Sequence, residues 1–197
     1  MKRFFYLVSR NAGKIREIQE IVAPFNLEVR NIHDFYSLPD IEETGASYAE
    51  NALLKARYGF QHTREICIGE DSGLEIDALH GAPGIQSARF GGSNLPFQDK
   101  ISEILKRLEG LPPERRSARF VCVAALVFPG GEKLFEGICE GWIAQKPQGN
   151  QGFGYDPIFV FPPFEKTFAQ LGAAVKNRYS HRAQAFRKCA EFLIHEL

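Results

Sequence analysis

Arg3–Val22 reads "RFFYLVSRNAGKIREIQEIV". Residues 3–9 are rich in aromatic and branched side chains, the composition of a buried strand. Beyond them the pattern changes. Ile15, Ile18 and the pair Ile21/Val22 recur at helical spacing, with charges between them. "RNAGK" joins the two halves, so the stretch is a strand–loop–helix unit. Everything downstream is read in the same vocabulary.

"LEVRNI" (27–32) is a second short strand, followed by a loop over 34–45 that holds Pro39 and the acidic pair Glu42-Glu43. Residues 46–60 read as a helix. Ala49, Leu53, Ala56 and Phe60 form its apolar face, with Glu50 at the edge and Lys55 pointing away. Residues 66–69 and 73–77 are strand-like on either side of Glu70-Asp71-Ser72, and "HGAPGIQSARF" is a Gly/Pro-rich loop. Residues 99–109 form a helix that stops at Pro112-Pro113. Residues 118–128 are the longest apolar run; with 133–144 across "PGGE" they suggest a hairpin. Residues 148–163 are a loop with a strand-like centre, and the tail is a helix with Ser180 as its N-cap. No repeat, linker or low-complexity segment interrupts the 197 residues. Strands and helices mix without strict alternation, which predicts one α/β domain with a mixed sheet.

Lys plus Arg equals Asp plus Glu, at 24 each. A neutral chain argues against a stable nucleic-acid partner or a polybasic membrane arm, and favours a small anion over a polymeric one. No apolar run approaches the roughly 20 residues that cross a bilayer, and the apolar start is too short for a signal-peptide core. Cys67, Cys122, Cys139 and Cys189 form no CxxC pair, so buried free thiols in a reducing cytosol are expected and a zinc site is not.

Four stretches have chemistry to offer, and each admits a plainer reading. Ser9-Arg10-Asn11-Ala12-Gly13-Lys14 opens a helix whose first N–H groups lack intrahelical partners, a setting that binds anions; it also reads as an ordinary capped turn. Glu42, Glu50, Glu70 and Asp71 are hard oxygen donors suited to Mg²⁺, or a solvated acidic turn; Ser72 caps a turn or donates to a phosphate. Phe153-Gly154-Tyr155-Asp156 presents aromatic rings for base stacking, or plugs the core. His181 and Arg182 lie at a helix start, where cations oppose the helix dipole. There they sit on the surface, or donate to a ligand with Lys176 beside them.

Together these stretches are recognisable. "SRNAGKIREI", "EETGASYAENALLKA", "EDSGLEIDALHGAPGIQSARF", "GFGYDPIF" and "KNRYSHRAQA" occur in order along nearly the whole chain. In that order the chain resembles the inosine triphosphate pyrophosphatase (Ham1, dITP/XTP pyrophosphatase) family. The resemblance implies hydrolysis of ITP, dITP and XTP to the monophosphate and pyrophosphate, clearing them from the nucleotide pool. It implies Mg²⁺, a cytoplasmic homodimer, and an elongated two-lobed fold around a long mixed sheet with the active-site cleft between lobes. Ser9 to Lys14 match the triphosphate loop, usually Thr-Gly-Asn-x-x-Lys, with Ser9 for Thr and Arg10 for Gly. Asp71 matches the catalytic, metal-binding aspartate and Ser72 the substrate-contacting residue after it. Glu70 stands where bacterial members usually have a second Asp, and Glu42 matches a further metal-site carboxylate. Lys55 matches a lysine that some members direct at the phosphates. Phe153, Gly154, Tyr155, Asp156, Lys176, His181 and Arg182 match the base-recognition residues. A Maf-like pyrophosphatase acting on pyrimidine or modified nucleotides is the alternative; it shares the phosphate loop but has no need of the "SHRAQA" helix start.

Overall fold

A computed structural model describes residues 3–39, 41–92 and 94–197; Met1, Lys2, Asp40 and Ser93 lie outside them. The strands are β1 (Arg3–Val8), β2 (Leu27–Asn31), β3 (Cys67–Ile76), β4 (Ser117–Phe128), β5 (Gly131–Ile143), β6 (Phe159–Phe161) and β7 (Lys166–Thr167). They form one mixed sheet in the order β2-β1-β3-β4-β5-β6-β7. β1 pairs in parallel with both β2 and β3, whereas β6 is antiparallel to β5 and to β7. The helices are α1 (Ala12–Val22), α2 (Tyr48–Thr63), α3 (Phe97–Arg107), α4 (Phe168–Tyr179) and α5 (His181–His195). Among the described residues no helix is long and apolar enough to cross a membrane.

The chain folds into two compact units. The first comprises residues 1–71, 122–137 and 181–197, and the second comprises 72–121 and 138–180. In the first unit the strands have two differently covered faces. Phe5, Leu7, Ile68, Cys122, Ala124 and Leu126 pack with Ile18, Ile21 and Val22 of α1 and with Ala183, Phe186, Cys189 and Leu193 of α5. Val123, Ala125 and Val127, the intervening residues of β4, pack with Ala52 and Ala56 of α2. In the second unit Leu74, Ile76, Ala118, Phe120, Cys139 and Ile143 share a core with Ile101 and Ile104 of α3, Tyr155, Phe159 and Phe168. All four cysteines are buried free thiols, as expected.

Two features depart from the sequence reading. β3 is one continuous strand, so Glu70 and Asp71 lie mid-strand and not in a turn between two strands. Residues 168–179, which carry no helical assignment in the sequence reading, form α4. Gly172, at φ 77° and ψ 178°, kinks that helix and interrupts its periodicity. Its start was nonetheless signposted. Thr167 and Gln170 make a capping box, the T-x-x-Q signature of a helix N-terminus.

Gly69 sets how closely α2 lies on β3. A Cβ there would stand 2.2 Å from the Ala52 carbonyl oxygen and 2.6 Å from the Ala56 nitrogen. Replacing Gly69 with Ala therefore forces the helix away from the strand, at a cost of about 1–3 kcal/mol. The thermal midpoint should fall by roughly 2–4 °C for each kcal/mol lost in a chain of this size. An unchanged midpoint would contradict the close approach.

Candidate active site

Successive side chains of a strand point to opposite faces of the sheet. Glu70 and Asp71, adjacent in β3, are thereby sent to different sets of partners. Glu70 is on the side of α1 and α5. Its Oε2 is 2.7 Å from the Lys14 ammonium, and its Oε1 accepts from Arg182 at 3.0 Å (Nη2) and 3.3 Å (Nε). The Cys122 thiol donates to the same Oε1 at 3.5 Å. Asp71 is on the α2 side, where Asn51 Nδ2 donates to its Oδ2 at 3.2 Å and the Lys55 ammonium lies 3.6 Å from Oδ1. Asn51 and Lys55 are one helical turn apart on α2, the turn that Gly69 brings down onto the strand.

The electrostatics of the two carboxylates diverge accordingly. Burial raises the Glu70 pKa, but Lys14, Arg182 and Lys55 outweigh it and hold the carboxyl well below the usual range. Burial pushes the Asp71 carboxyl up; Lys55 and Lys14 pull the other way, and Glu43 and Glu70 add to the rise. Lys55 is itself desolvated, yet Asp71, Glu43 and Glu70 keep it charged and raise its pKa. Its ammonium donates to Glu43 Oε1 at 2.7 Å. The pair Glu43 and Asp71 thus flank one lysine.

The loop before α1 is a capped turn whose first helical N–H groups lack intrahelical partners. Asn11 is the N-cap, its Oδ1 accepting from Lys14 N at 3.0 Å, and Ser9 Oγ accepts from Asn11 N at 3.2 Å. No acidic residue occupies the first turn. Arg10, the replacement for glycine, is exposed and donates to the Leu38 carbonyl at 2.8 Å, which ties the loop to the segment after β2.

The remaining sequence-derived site residues distribute as follows. Glu42 is exposed, and it is its neighbour Glu43 that reaches Lys55. His181 and Arg182 open α5 in the first unit and are both buried. Ser72, Phe153, Gly154, Tyr155, Asp156 and Lys176 belong to the second unit. There the Lys176 ammonium is 2.6 Å from Asp156 Oδ2 and 4.4 Å above the Phe153 ring, and Phe153 N donates to the same carboxylate oxygen at 2.9 Å. Tyr155 departs from expectation. Its ring is in the core, edge-on to Phe97, and its hydroxyl donates to the Ser87 carbonyl at 2.8 Å. The core-plugging reading holds for that residue. Sequence reasoning missed Glu17, Glu43 and Asn51 and set Lys55 on the outer face of its helix. The available signal was the spacing of Asn51 and Lys55, two polar residues four apart beside the apolar stripe of α2.

The fold and site define a mixed α/β protein with a capped strand-to-helix loop beside a buried, cation-flanked carboxylate pair. The Ham1 family model matches residues 5–192. A dITP/XTP pyrophosphatase of Bacillus cereus is 43% identical over 188 residues, covering 94% of this chain and 92% of that one. A dITP/XTP pyrophosphatase of Dictyoglomus thermophilum is 45% identical over 201 residues, covering 98% and 95%. The structure of the Staphylococcus aureus Ham1 protein superposes with a TM-score of 0.87 at 38% identity, over 99% of this chain and 100% of that one. The chain belongs to the Ham1 family.

Because the folded-state pKa of Asp71 is raised, its ionisation opposes folding. That cost is absent below the ordinary aspartate pKa of about 4 and grows as pH rises through the folded value. Asp71→Asn should therefore be more stable than the unsubstituted protein at pH 7 in chelator-treated buffer, and the gap should close on acidification below about pH 4. Urea unfolding across that range checks it; a variant less stable at pH 7 would contradict the burial argument.

Proposed function

We propose that the chain is a nucleoside triphosphate pyrophosphatase that hydrolyses non-canonical purine nucleotides (ITP, dITP, XTP) to the monophosphate and pyrophosphate. The observation that carries this reading is Asp71. It is a buried carboxylate with a raised pKa, oriented by Asn51, in the same unit as the Ser9–Lys14 loop. The full-length similarity to dITP/XTP pyrophosphatases supports the substrate class, and it disfavours the Maf-like alternative.

In this reading Asp71 accepts the proton of the water that attacks the α-phosphorus, and the bond from that phosphorus to the bridging oxygen breaks. A carboxylate whose pKa is raised by burial is a better proton acceptor than an ordinary one. Asn51 fixes its orientation. Pyrophosphate departs with its charge met by Lys14 and the N–H groups at the start of α1, and Lys55 adds a cation beside Asp71.

The residues fit a divalent metal. Asp71 is a hard oxygen donor whose buried charge a cation would relieve, and Mg²⁺ commonly uses one or two carboxylates together with substrate phosphates. Asp71 and Glu43 would hold the ion, and Glu42 joins them on the resemblance alone. Glu70 has both oxygens engaged by cations, so here it serves Lys14 and not the metal. When bound, Mg²⁺ neutralises phosphate charge in the transition state.

Base selectivity follows from donor–acceptor matching. Hypoxanthine and xanthine offer a 6-oxo acceptor where adenine has a 6-amino donor, and each protein donor left unmet costs about 1–3 kcal/mol. His181 and the Phe153, Gly154, Asp156 and Lys176 group are assigned to the base on the resemblance, as are the homodimer and the cytoplasmic location.

With product identification, ITP, dITP and XTP should each yield monophosphate and pyrophosphate at kcat/KM roughly 10²- to 10⁴-fold above ATP. Asp71→Asn should lower kcat on the order of 10²- to 10⁴-fold while staying folded. Equal turnover of ATP and ITP, or a fully active Asp71→Asn variant, would overturn the reading.

A further inference from the structure

Glu17 lies three residues past Lys14 on α1. It is 8% exposed, on a helix whose other buried residues are Ile18, Ile21 and Val22. Its Oε2 accepts from Arg182 Nη1 at 2.6 Å. Arg182 also grips Glu70 Oε1 through Nη2 and Nε, and Glu70 Oε2 meets the Lys14 ammonium at 2.7 Å. The four groups form a chain of alternating charge, Glu17–Arg182–Glu70–Lys14, that starts and ends on the same helix. Side-chain exposure along it is 11%, 3%, 1% and 19%, so the chain opens at Lys14.

Buried ion pairs are a weak source of stability relative to apolar packing. A chain of four therefore asks for another explanation, and its geometry supplies one. A lysine at the opening of an anion-binding loop would ordinarily sample many rotamers, and fixing it at the moment of binding costs side-chain entropy. Here a carboxylate holds the ammonium, an arginine holds that carboxylate, and a second carboxylate holds the arginine. We propose that Glu17 and Arg182 are positioning residues that act through Glu70 to pre-set the Lys14 ammonium for a pyrophosphate group. Arg182, which the resemblance assigns to the base, engages two carboxylates of the first unit through its guanidinium. The inference rests on the phosphate-binding part of the proposed function and not on base choice.

Removing the charge of Glu17 takes from the Arg182 guanidinium one of the two carboxylates it bridges. The guanidinium then draws Glu70 toward itself, and the hold on Lys14 slackens. The probe is inorganic pyrophosphate, titrated by calorimetry in Mg²⁺ buffer into the unsubstituted protein, Glu17→Gln, Lys14→Met and the double variant, with thermal melts establishing that each is folded. Glu17→Gln should weaken pyrophosphate binding about 10-fold, within the range of couplings in one ion-pair network. In the Lys14→Met background the same change should have less than about a 2-fold effect. Equal losses in both backgrounds, an unchanged Kd in Glu17→Gln, or no binding by the unsubstituted protein would overturn the proposal. Should Glu17→Gln fail to fold, Glu70→Gln leaves Arg182 balanced by Glu17 and carries the same cycle. There too a loss that disappears without Lys14 supports the chain, and an additive loss overturns it. Pyrophosphate binding that follows this pattern while ITP, dITP and XTP go uncleaved would sink the substrate assignment and leave the positioning chain standing.

Discussion

The pleat of β3 is the constraint on which the site depends. Adjacent residues of a strand cannot face the same way, so a Glu-Asp pair in mid-strand is necessarily divided between two faces. Burial would make two neighbouring carboxylates costly if both were uncompensated. The fold compensates them separately. Glu70 receives Lys14 and Arg182 from α1 and α5, and Asp71 receives Asn51 and Lys55 from α2. Lys14 and Arg182 hold the Glu70 carboxyl below the usual range, and burial leaves that of Asp71 above it.

That division requires helices close enough to reach the strands. Gly69 lets the backbone of α2 pack directly on β3. Gly137 of β5 does the same for α5, since a Cβ there would stand 2.1 Å from the His181 carbonyl oxygen. Two glycines, one per face, thus place the polar turns bearing Lys55 and Arg182 near the carboxylates they serve. α1 contributes its N-terminal loop and Lys14 and Glu17 at once, so the capped turn and the charge chain behind it share one helix.

Much of this was legible in the sequence. The first strand–loop–helix unit, the apolar runs of β4 and β5, and the start of α5 after Ser180 follow from composition and periodicity, and the structure has them within a few residues. The Asn11 cap and the position of Lys14 were likewise readable from local pattern. Other features were hidden for physical reasons. Glu70-Asp71-Ser72 reads as a break between two strand-like runs, yet β3 carries these residues without interruption. The kink at Gly172 hid α4. The partners of Asp71 and Glu70 are 20 and 112 residues away in the chain, and no local period encodes a contact of that kind. Tyr155 misled because an aromatic between glycines looks the same in sequence whether it faces a ligand or the core.

The division of roles along β3 is tested most directly by titrating the side-chain carboxyl carbons of Glu70 and Asp71 by NMR in metal-free protein. Glu70 should remain ionised well below the ordinary glutamate range, and Asp71 should take up its proton above the ordinary aspartate range. Two carboxyls titrating together, or Asp71 losing its proton before Glu70 as pH rises, would contradict the account.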